Sequence, residues 1–194
     1  MSARALTRTV PDPPRRRDAA RSRAAILAAA RELFATGRDV PMYEIARHAG
    51  VGQATLYRHY ADRAAIVAAI SREHVERIEA TAAECDGDPG AVTVVLAAAT
   101  AMFVAIHDVL GMLREDAALA PVIDELRGRM RAVFERALCA APRGDALRDD
   151  ITAEDLMLVL RMINGALAGI STATDRAAAA ARALELAMLG LRER

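Results

Sequence analysis

Alanine-rich segments separated by arginine and glutamate recur along the chain, as in RAAILAAAREL near the N-terminus and RAAAAARALELAML near the C-terminus. Alanine has the highest intrinsic helix propensity, and the larger apolar residues recur at the three- and four-residue intervals of one helix face. We find no segment in which apolar and polar residues alternate convincingly over the length of a strand. The sequence therefore predicts an all-α fold of about nine helices.

One uncharged segment, residues 89–106, has the length at which a membrane span must be considered. It is rich in alanine and begins with Pro-Gly, so we favour a helix buried inside a bundle. The N-terminal segment lacks the apolar core of a signal peptide, and the two cysteines, Cys85 and Cys139, do not have the spacing of a metal or redox motif. We expect a cytoplasmic protein with no membrane contact.

The net charge of zero hides two regions of opposite sign. Residues 1–63 contain 12 arginines and 6 acidic residues, a net charge of +6, whereas residues 64–194 carry a net charge of −6. A basic N-terminal region predicts contact with a polyanion through that region alone.

The N-terminal region contains a predicted helix-turn-helix. Residues 1–18 are rich in arginine and proline and are expected to form a flexible basic arm, followed by a DNA-binding unit over residues 19–64. In that unit, MYEIARHA and QATLYRHY form two short helices joined by a glycine-containing turn. If Val51 and Leu56 fill the angle between these helices, the polar side of QATLYRHY faces outward.

The outward residues of the second short helix suit contact with double-stranded DNA. Ala54 and Thr55 are small enough for close approach to base edges in the major groove, and Gln53 can pair with adenine. Tyr57 and His59 offer hydrogen-bond donors to phosphates, and Arg63 adds a positive charge just beyond the helix. Each of these three residues also has an interpretation without DNA contact. Tyr57 could pack between helices, His59 could be a structural histidine, and Arg63 could be a solvated surface charge.

The segment that runs from RAAILAAARELFATGRD to EIARHAGVGQATLYRHYADRAAIVAAI, residues 23–70, resembles the DNA-binding domain of the TetR (tetracycline-repressor) family. The resemblance implies that Gln53, Ala54, Thr55, Tyr57, His59 and Arg63 contact DNA, together with Tyr43 on the preceding helix. The sequence departs from the family where Pro41 replaces a common threonine, Arg63 a common lysine and Tyr60 a common phenylalanine. The last change makes Tyr60 a candidate core residue. Arg15, Arg16 and Arg17 are either a solubilising tail or auxiliary DNA contacts.

The resemblance also implies that residues 65–194 form a helical ligand-binding and dimerisation domain, with a homodimer formed through the last two helices. Polar or pliable side chains on its apolar segments are the candidates for binding an unidentified small-molecule effector, although each could instead be an ordinary core residue. These candidates are Met102, Phe103, His107, Arg114, Met130, Met157, Arg161 and Asn164, with Thr100 as a further possibility.

No pairing of a nucleophile with a base, no phosphate-binding glycine loop and no metal-ligand cluster stands out in the sequence. We therefore expect neither an enzyme nor a bound metal or cofactor. The reading that fits best is a ligand-responsive transcriptional repressor that binds a palindromic operator as a homodimer and is released by its effector. The alternative is an architectural or activator-type DNA-binding protein without a small-molecule input.

Overall fold

The computed structural model describes residues 14–35, 40–140 and 147–192. In these ranges the chain forms nine α-helices, one short 3-10 helix (Ala117–Leu119) and no sheet, which confirms the predicted all-α fold. The helices are α1 (Pro14–Phe34), α2 (Met42–His48), α3 (Gln53–His59), α4 (Arg63–Glu84), α5 (Ala91–Ala105), α6 (His107–Glu115), α7 (Ala120–Ala140), α8 (Ala153–Ala166) and α9 (Ala173–Leu191).

The turn between α2 and α3 is a Schellman motif. The Val51 N–H donates to the Ala46 carbonyl at 3.0 Å, and the Gly50 N–H donates to the Arg47 carbonyl at 3.2 Å. Gly50 has a φ of +66°, a backbone conformation that residues with a Cβ adopt only at a cost. This glycine therefore allows the chain to leave α2 and enter α3 within a few residues.

The fourth helix begins at a side-chain cap. The Asp62 side chain accepts a hydrogen bond from the Ala65 N–H at 2.8 Å, which satisfies one of the free donors at the start of α4. An apolar stripe is buried along the 22 residues of this helix. That stripe consists of Ile66, Val67, Ile70, Val75 and Ile78.

The uncharged segment 89–106 forms α5, which packs against α4, α7, α8 and α9 at the centre of the bundle. Throughout the described ranges, no helix combines the length and the apolar character needed to span a membrane. The chain breaks at Ile106, which ends α5 and starts α6.

The last two helices start at threonine caps. Thr152 and Asp155 form a reciprocal capping box at α8, as the sequence indicates, and the Thr172 side chain caps α9. The α8 and α9 helices pack on each other and on α5. The chain before α8 is held to the end of α9, since the Arg148 N–H donates to the Leu191 carbonyl at 3.0 Å.

Two predicted boundaries differ from the structure. Helix α1 begins at Pro14, so residues 14–18 of the expected flexible arm are helical. The helix of the alanine-rich segment extends into the preceding arginines. Residues 1–13 lie outside the described residues. The boundary expected between residues 64 and 65 falls inside α4. This helix contacts α1 near its start and α5 and α7 further along, so it belongs to both parts of the chain.

Candidate nucleic-acid interface and ligand cavity

Helix α3 has one buried side, which determines what its other sides present. Leu56 is fully buried and packs into the same core as Ile45 and Ala46 of α2. Val51, in the turn, is half-buried against this core. The interior of the helix-turn-helix is therefore formed by the residues expected to fill the angle between its helices.

The side of α3 opposite Leu56 is open to solvent. Gln53 and Ala54 are exposed and Thr55 is half-buried. Two large aromatic side chains are unusually exposed, with Tyr57 52% and Tyr43 56% accessible. Burial of a tyrosine ring is normally favourable, so two exposed rings on adjacent short helices form a surface suited to a partner.

His59 and Tyr60, at the end of α3, are turned toward the protein. The His59 ring is half-buried, and its Nε2 atom is inaccessible and has no hydrogen-bond partner among the described residues. Tyr60 is buried beside α1, as expected for a core ring. Burial raises the pKa of the Tyr60 hydroxyl, although the Arg23 guanidinium nearby opposes this effect.

Arg63 links the helix-turn-helix to the bundle. Its guanidinium carbon lies 5.1 Å from the centre of the Phe34 ring on α1, a cation–π geometry, and its Nη2 atom is 3.3 Å from the Met112 sulfur on α6. The side chain expected to contact phosphate is thus half-buried and engaged with two helices of its own chain. Arg31 of α1 also forms an ion pair with Glu73 of α4.

A cavity of about 280 Å³ lies among α4, α5, α6, α7 and α8. Seven of the eight ligand candidates chosen from the sequence line it, brought together from four helices. These are Met102, Phe103, Arg114, Met130, Met157, Arg161 and Asn164. The Asn164 Oδ1 atom is buried without a hydrogen-bond partner among the described residues.

His107 is the exception among the candidates. Because the chain breaks at Ile106, that isoleucine lines the cavity instead, and His107 is half-buried outside its lining. Burial and the nearby Arg176 guanidinium lower the pKa of His107. Its neighbour Asp108 forms an ion pair with Arg176 of α9 at 3.4 Å, so this carboxylate already has a partner. Thr100 is buried and donates to the Leu96 carbonyl at 2.8 Å within α5.

The residues that α4 contributes to the cavity, and most of the apolar lining residues, were not predicted from the sequence. The additional lining residues are Ser71, Val75, Ile106, Leu110, Ile123, Leu126, Arg127 and Leu160. Val75 belongs to the buried apolar stripe of α4, and Leu126 precedes Met130 by one helical turn. The apolar side of α4 can therefore be identified from the sequence. One sequence does not indicate which of its apolar residues line a cavity and which are packed in the core.

Known proteins match this chain in the sequence of its helix-turn-helix region and in its fold. Residues 26–70, from α1 into α4, match the family described as "Bacterial regulatory proteins, tetR family". No curated protein matches the chain in sequence.

Solved structures extend the similarity beyond the helix-turn-helix. A TetR transcription regulatory protein from Mycobacterium vanbaalenii is 29% identical with a TM-score of 0.67, over 93% of this chain and 100% of that one. A TetR transcriptional regulator from Streptomyces coelicolor is 28% identical with a TM-score of 0.67, over 88% of this chain and 98% of that one. A regulatory protein in the tetR family from Rhodococcus RHA1, at 20% identity and a TM-score of 0.64, over 89% of this chain and 98% of that one, shares the fold. The sequence match over the first helices and the fold match over most of the chain agree: residues 26–70 match the tetR family model, and the chain has the fold of TetR transcription regulators.

Proposed function

We propose that the protein is a ligand-responsive repressor that binds a palindromic operator as a homodimer and leaves it when a small molecule occupies the cavity. The observation that carries this proposal is the open polar side of α3, opposite the buried Leu56. A major groove admits a helix presented in this way, and a two-fold dimer presents two of them to the half-sites of a palindrome.

The proposed DNA contacts divide into base readers and phosphate contacts. Gln53, Ala54 and Thr55, at the start of α3, are the proposed base readers. The exposed hydroxyls of Tyr43 and Tyr57 are the strongest phosphate contacts. His59 and Arg63 retain a proposed role, which requires each side chain to turn away from its internal contacts.

A pair of substitutions tests this division. On fragments selected from genomic DNA by the purified protein, Tyr57→Phe should weaken binding to all sequences by about three- to tenfold, because one phosphate hydrogen bond is lost. Gln53→Ala should instead relax base preference, by about 1–3 kcal/mol if the contact is bidentate. Arg136→Gln, on exposed α7 surface, is the control. If both variants bind like the wild type, α3 is not the reading helix.

We propose that the homodimer forms through α8 and α9. Four large apolar side chains are exposed on these two helices, with Leu189 67% and Met162 63% accessible, alongside Leu158 and Leu186. Only Ala180, Met188 and Leu191 of α9 are buried. An apolar surface of this kind on two adjacent helices is typical of an interface between identical subunits.

Sedimentation at micromolar concentration tests the dimer. The wild type should sediment as a dimer and Leu189→Asp as a monomer, because a buried unpaired charge would oppose association. Val94→Asp, at an exposed apolar position on α5, should remain dimeric. A monomeric wild type would overturn this part of the proposal.

The response to a ligand follows from linkage. If the effector binds more tightly to a dimer whose two α3 helices are misplaced for the operator, it lowers DNA affinity by the same factor, commonly by about 1–3 kcal/mol. A cavity of about 280 Å³ lined by five of the predicted domain's helices supports this role. A thermal-shift screen separates it from the architectural alternative, which predicts no stabilising small molecule.

The proposed domain division keeps residues 19–64 as the DNA-binding unit and residues 65–194 as the ligand-binding and dimerisation domain. The ion pair between Arg31 and Glu73 and the contacts of Arg63 connect the two parts across α4. We further propose a cytoplasmic location, where the protein meets both DNA and small molecules.

A further inference from the structure

We propose that the cavity binds an apolar molecule that carries a carboxylate, held by Arg114 and Arg161 at the mouth of the cavity. This inference rests on the proposed function, in which the cavity is the effector site. It adds the chemical class of the effector, which neither the family nor the fold specifies.

The body of the cavity suits a flexible hydrocarbon. Its walls are formed mainly by aliphatic side chains and by the methionines Met102, Met130 and Met157. Methionine is unbranched and adapts its shape to what it contacts, so three of them favour a flexible ligand. Phe103 is the one aromatic ring among the described lining residues, which argues against capture of a large planar molecule by stacking.

The charged groups at the cavity all have the same sign. Among the lining residues that the structure describes, three are arginines and none is an aspartate or glutamate. Arg127 is neutralised by Asp124, with Nη1 2.9 Å from Oδ1. Arg114 and Arg161 form no hydrogen bond or ion pair with the other described residues. A pair of uncompensated guanidinium groups beside an apolar cavity calls for an anion, and the planar fork of arginine matches a carboxylate.

A neutral polar group lies next to this charge. Asn164 is three residues after Arg161 on α8, so the two side chains are neighbours on one helix surface and both border the cavity. The buried Asn164 Oδ1 atom has no partner among the described residues. A carboxylate accepts hydrogen bonds and cannot donate to this oxygen, so Asn164 would assist a carboxylate only through its amide N–H groups, with the side-chain amide turned over.

The volume limits the length of the apolar part. At about 280 Å³, the cavity lies just below the range for ligand pockets, which begins at about 300 Å³. We therefore assign a carboxylate with a medium-length aliphatic chain. Decanoate and octanoate are suitable probes.

Calorimetry on the full-length protein, with each probe below its micelle concentration, tests the assignment. Decanoate should bind more tightly than octanoate by roughly fourfold for each methylene. Decanoate should also bind at least about tenfold more tightly than decanol, which keeps the chain but lacks the charge, and than decylamine, which reverses it. Equal or tighter binding of decanol or decylamine would overturn the carboxylate assignment, and so would failure of all four probes to bind.

Substitutions test whether Arg161 and Arg114 bind the carboxylate. Arg161→Gln and Arg114→Gln should each weaken decanoate binding by about tenfold and leave decanol binding unchanged, whereas Arg136→Gln should change neither. An equal loss of decanoate and decanol in the cavity variants would show damage to the cavity instead of loss of a carboxylate partner, and would overturn the assignment.

A DNA-release measurement separates this inference from the proposed function. If decanoate binds in the predicted charge-dependent manner but leaves the affinity for selected DNA unchanged, the effector role fails and the ligand class stands. If decanoate fails to bind while a molecule of another class releases the DNA, the ligand class fails and the effector role stands.

Discussion

The DNA-binding unit and the bundle use their buried and exposed surfaces in opposite ways. In α2 and α3, a few fully buried side chains such as Ile45 and Leu56 hold helices of seven residues, and the side chains proposed to function lie outside. In α4–α8, the proposed functional residues surround an internal cavity. A reader of DNA needs a rigid support behind an open surface, whereas a receptor for a small molecule needs an imperfectly filled core.

Removing the support behind α3 should give the largest effect. Leu56→Ala creates a cavity under the reading helix, and we expect a loss of about 2–5 kcal/mol in the free energy of unfolding together with loss of DNA binding. Urea denaturation and a DNA-binding assay measure the two effects. Leu156→Ala, at a fully buried position of the bundle outside the cavity lining, is the matched control.

The control variant should lose stability but bind DNA normally while folded. Loss of DNA binding in fully folded Leu156→Ala would break the comparison, because packing in the bundle would then be setting the shape of the reading surface directly.

The next largest effect concerns a buried histidine of the bundle. His74 of α4 is 8% exposed, and burial, together with Arg77 and Arg31, lowers its pKa from 6.5 to about 4. Between these values the unfolded chain binds a proton that the native protein does not, so stability falls as the pH falls and stops falling below about pH 4. We expect a loss of up to about 2 kcal/mol between pH 7 and pH 5 from this group.

Urea denaturation at the two pH values, with His74→Gln as the comparison, isolates this contribution. The variant should show a smaller loss between pH 7 and pH 5. Equal pH dependence in both proteins would mean that His74 can accept a proton in the native state.

These two regions also differ in how far the sequence predicts them. For α3, one inward residue, Leu56, and the helical repeat are enough to place Gln53, Ala54 and Tyr57 outside. The inward orientation of the Arg63 side chain could not be predicted from the sequence. Its contacts with Phe34 and Met112 depend on how α6 packs against α1 and α4. In the bundle, polar and pliable residues pointed to the cavity, but the break at Ile106 moved His107 out of it.

A smaller effect is expected at the turn of the helix-turn-helix. Gly50→Ala places a Cβ on a residue with a φ of +66° and should cost about 1 kcal/mol of stability. Gly50→Asn should cost less, because asparagine tolerates this conformation better. Thermal unfolding of the three proteins checks the order, and equal stability of the alanine and asparagine variants would show that the turn relaxes.

The smallest effect should come from the ion pairs between α4 and α7. Arg129 contacts both carboxylate oxygens of Glu79, at 2.8 and 2.6 Å, and holds the pKa of Glu79 below its usual value. Both side chains are partly exposed, so Glu79→Gln should cost only about 0.5–1 kcal/mol, less in high salt. Glu185→Gln, which removes an exposed pair with Arg182, should be nearly neutral in the monomer. A cost above that range would indicate a larger network joining the two helices.

The continuity of α4 has a mechanical consequence. Its 22 residues form one rod about 33 Å long, which starts beside the reading helix and ends in the bundle. A tilt of about 5° around its far end moves its first residue by about 3 Å. In the proposed dimer, opposite displacements of this size in the two subunits would change the distance between the reading helices by about 6 Å, nearly two base-pair steps, against a half-site spacing of about 34–36 Å. In the proposed response to a ligand, the unbroken helix would act as a lever that converts a slight rearrangement around the cavity into a misfit on DNA.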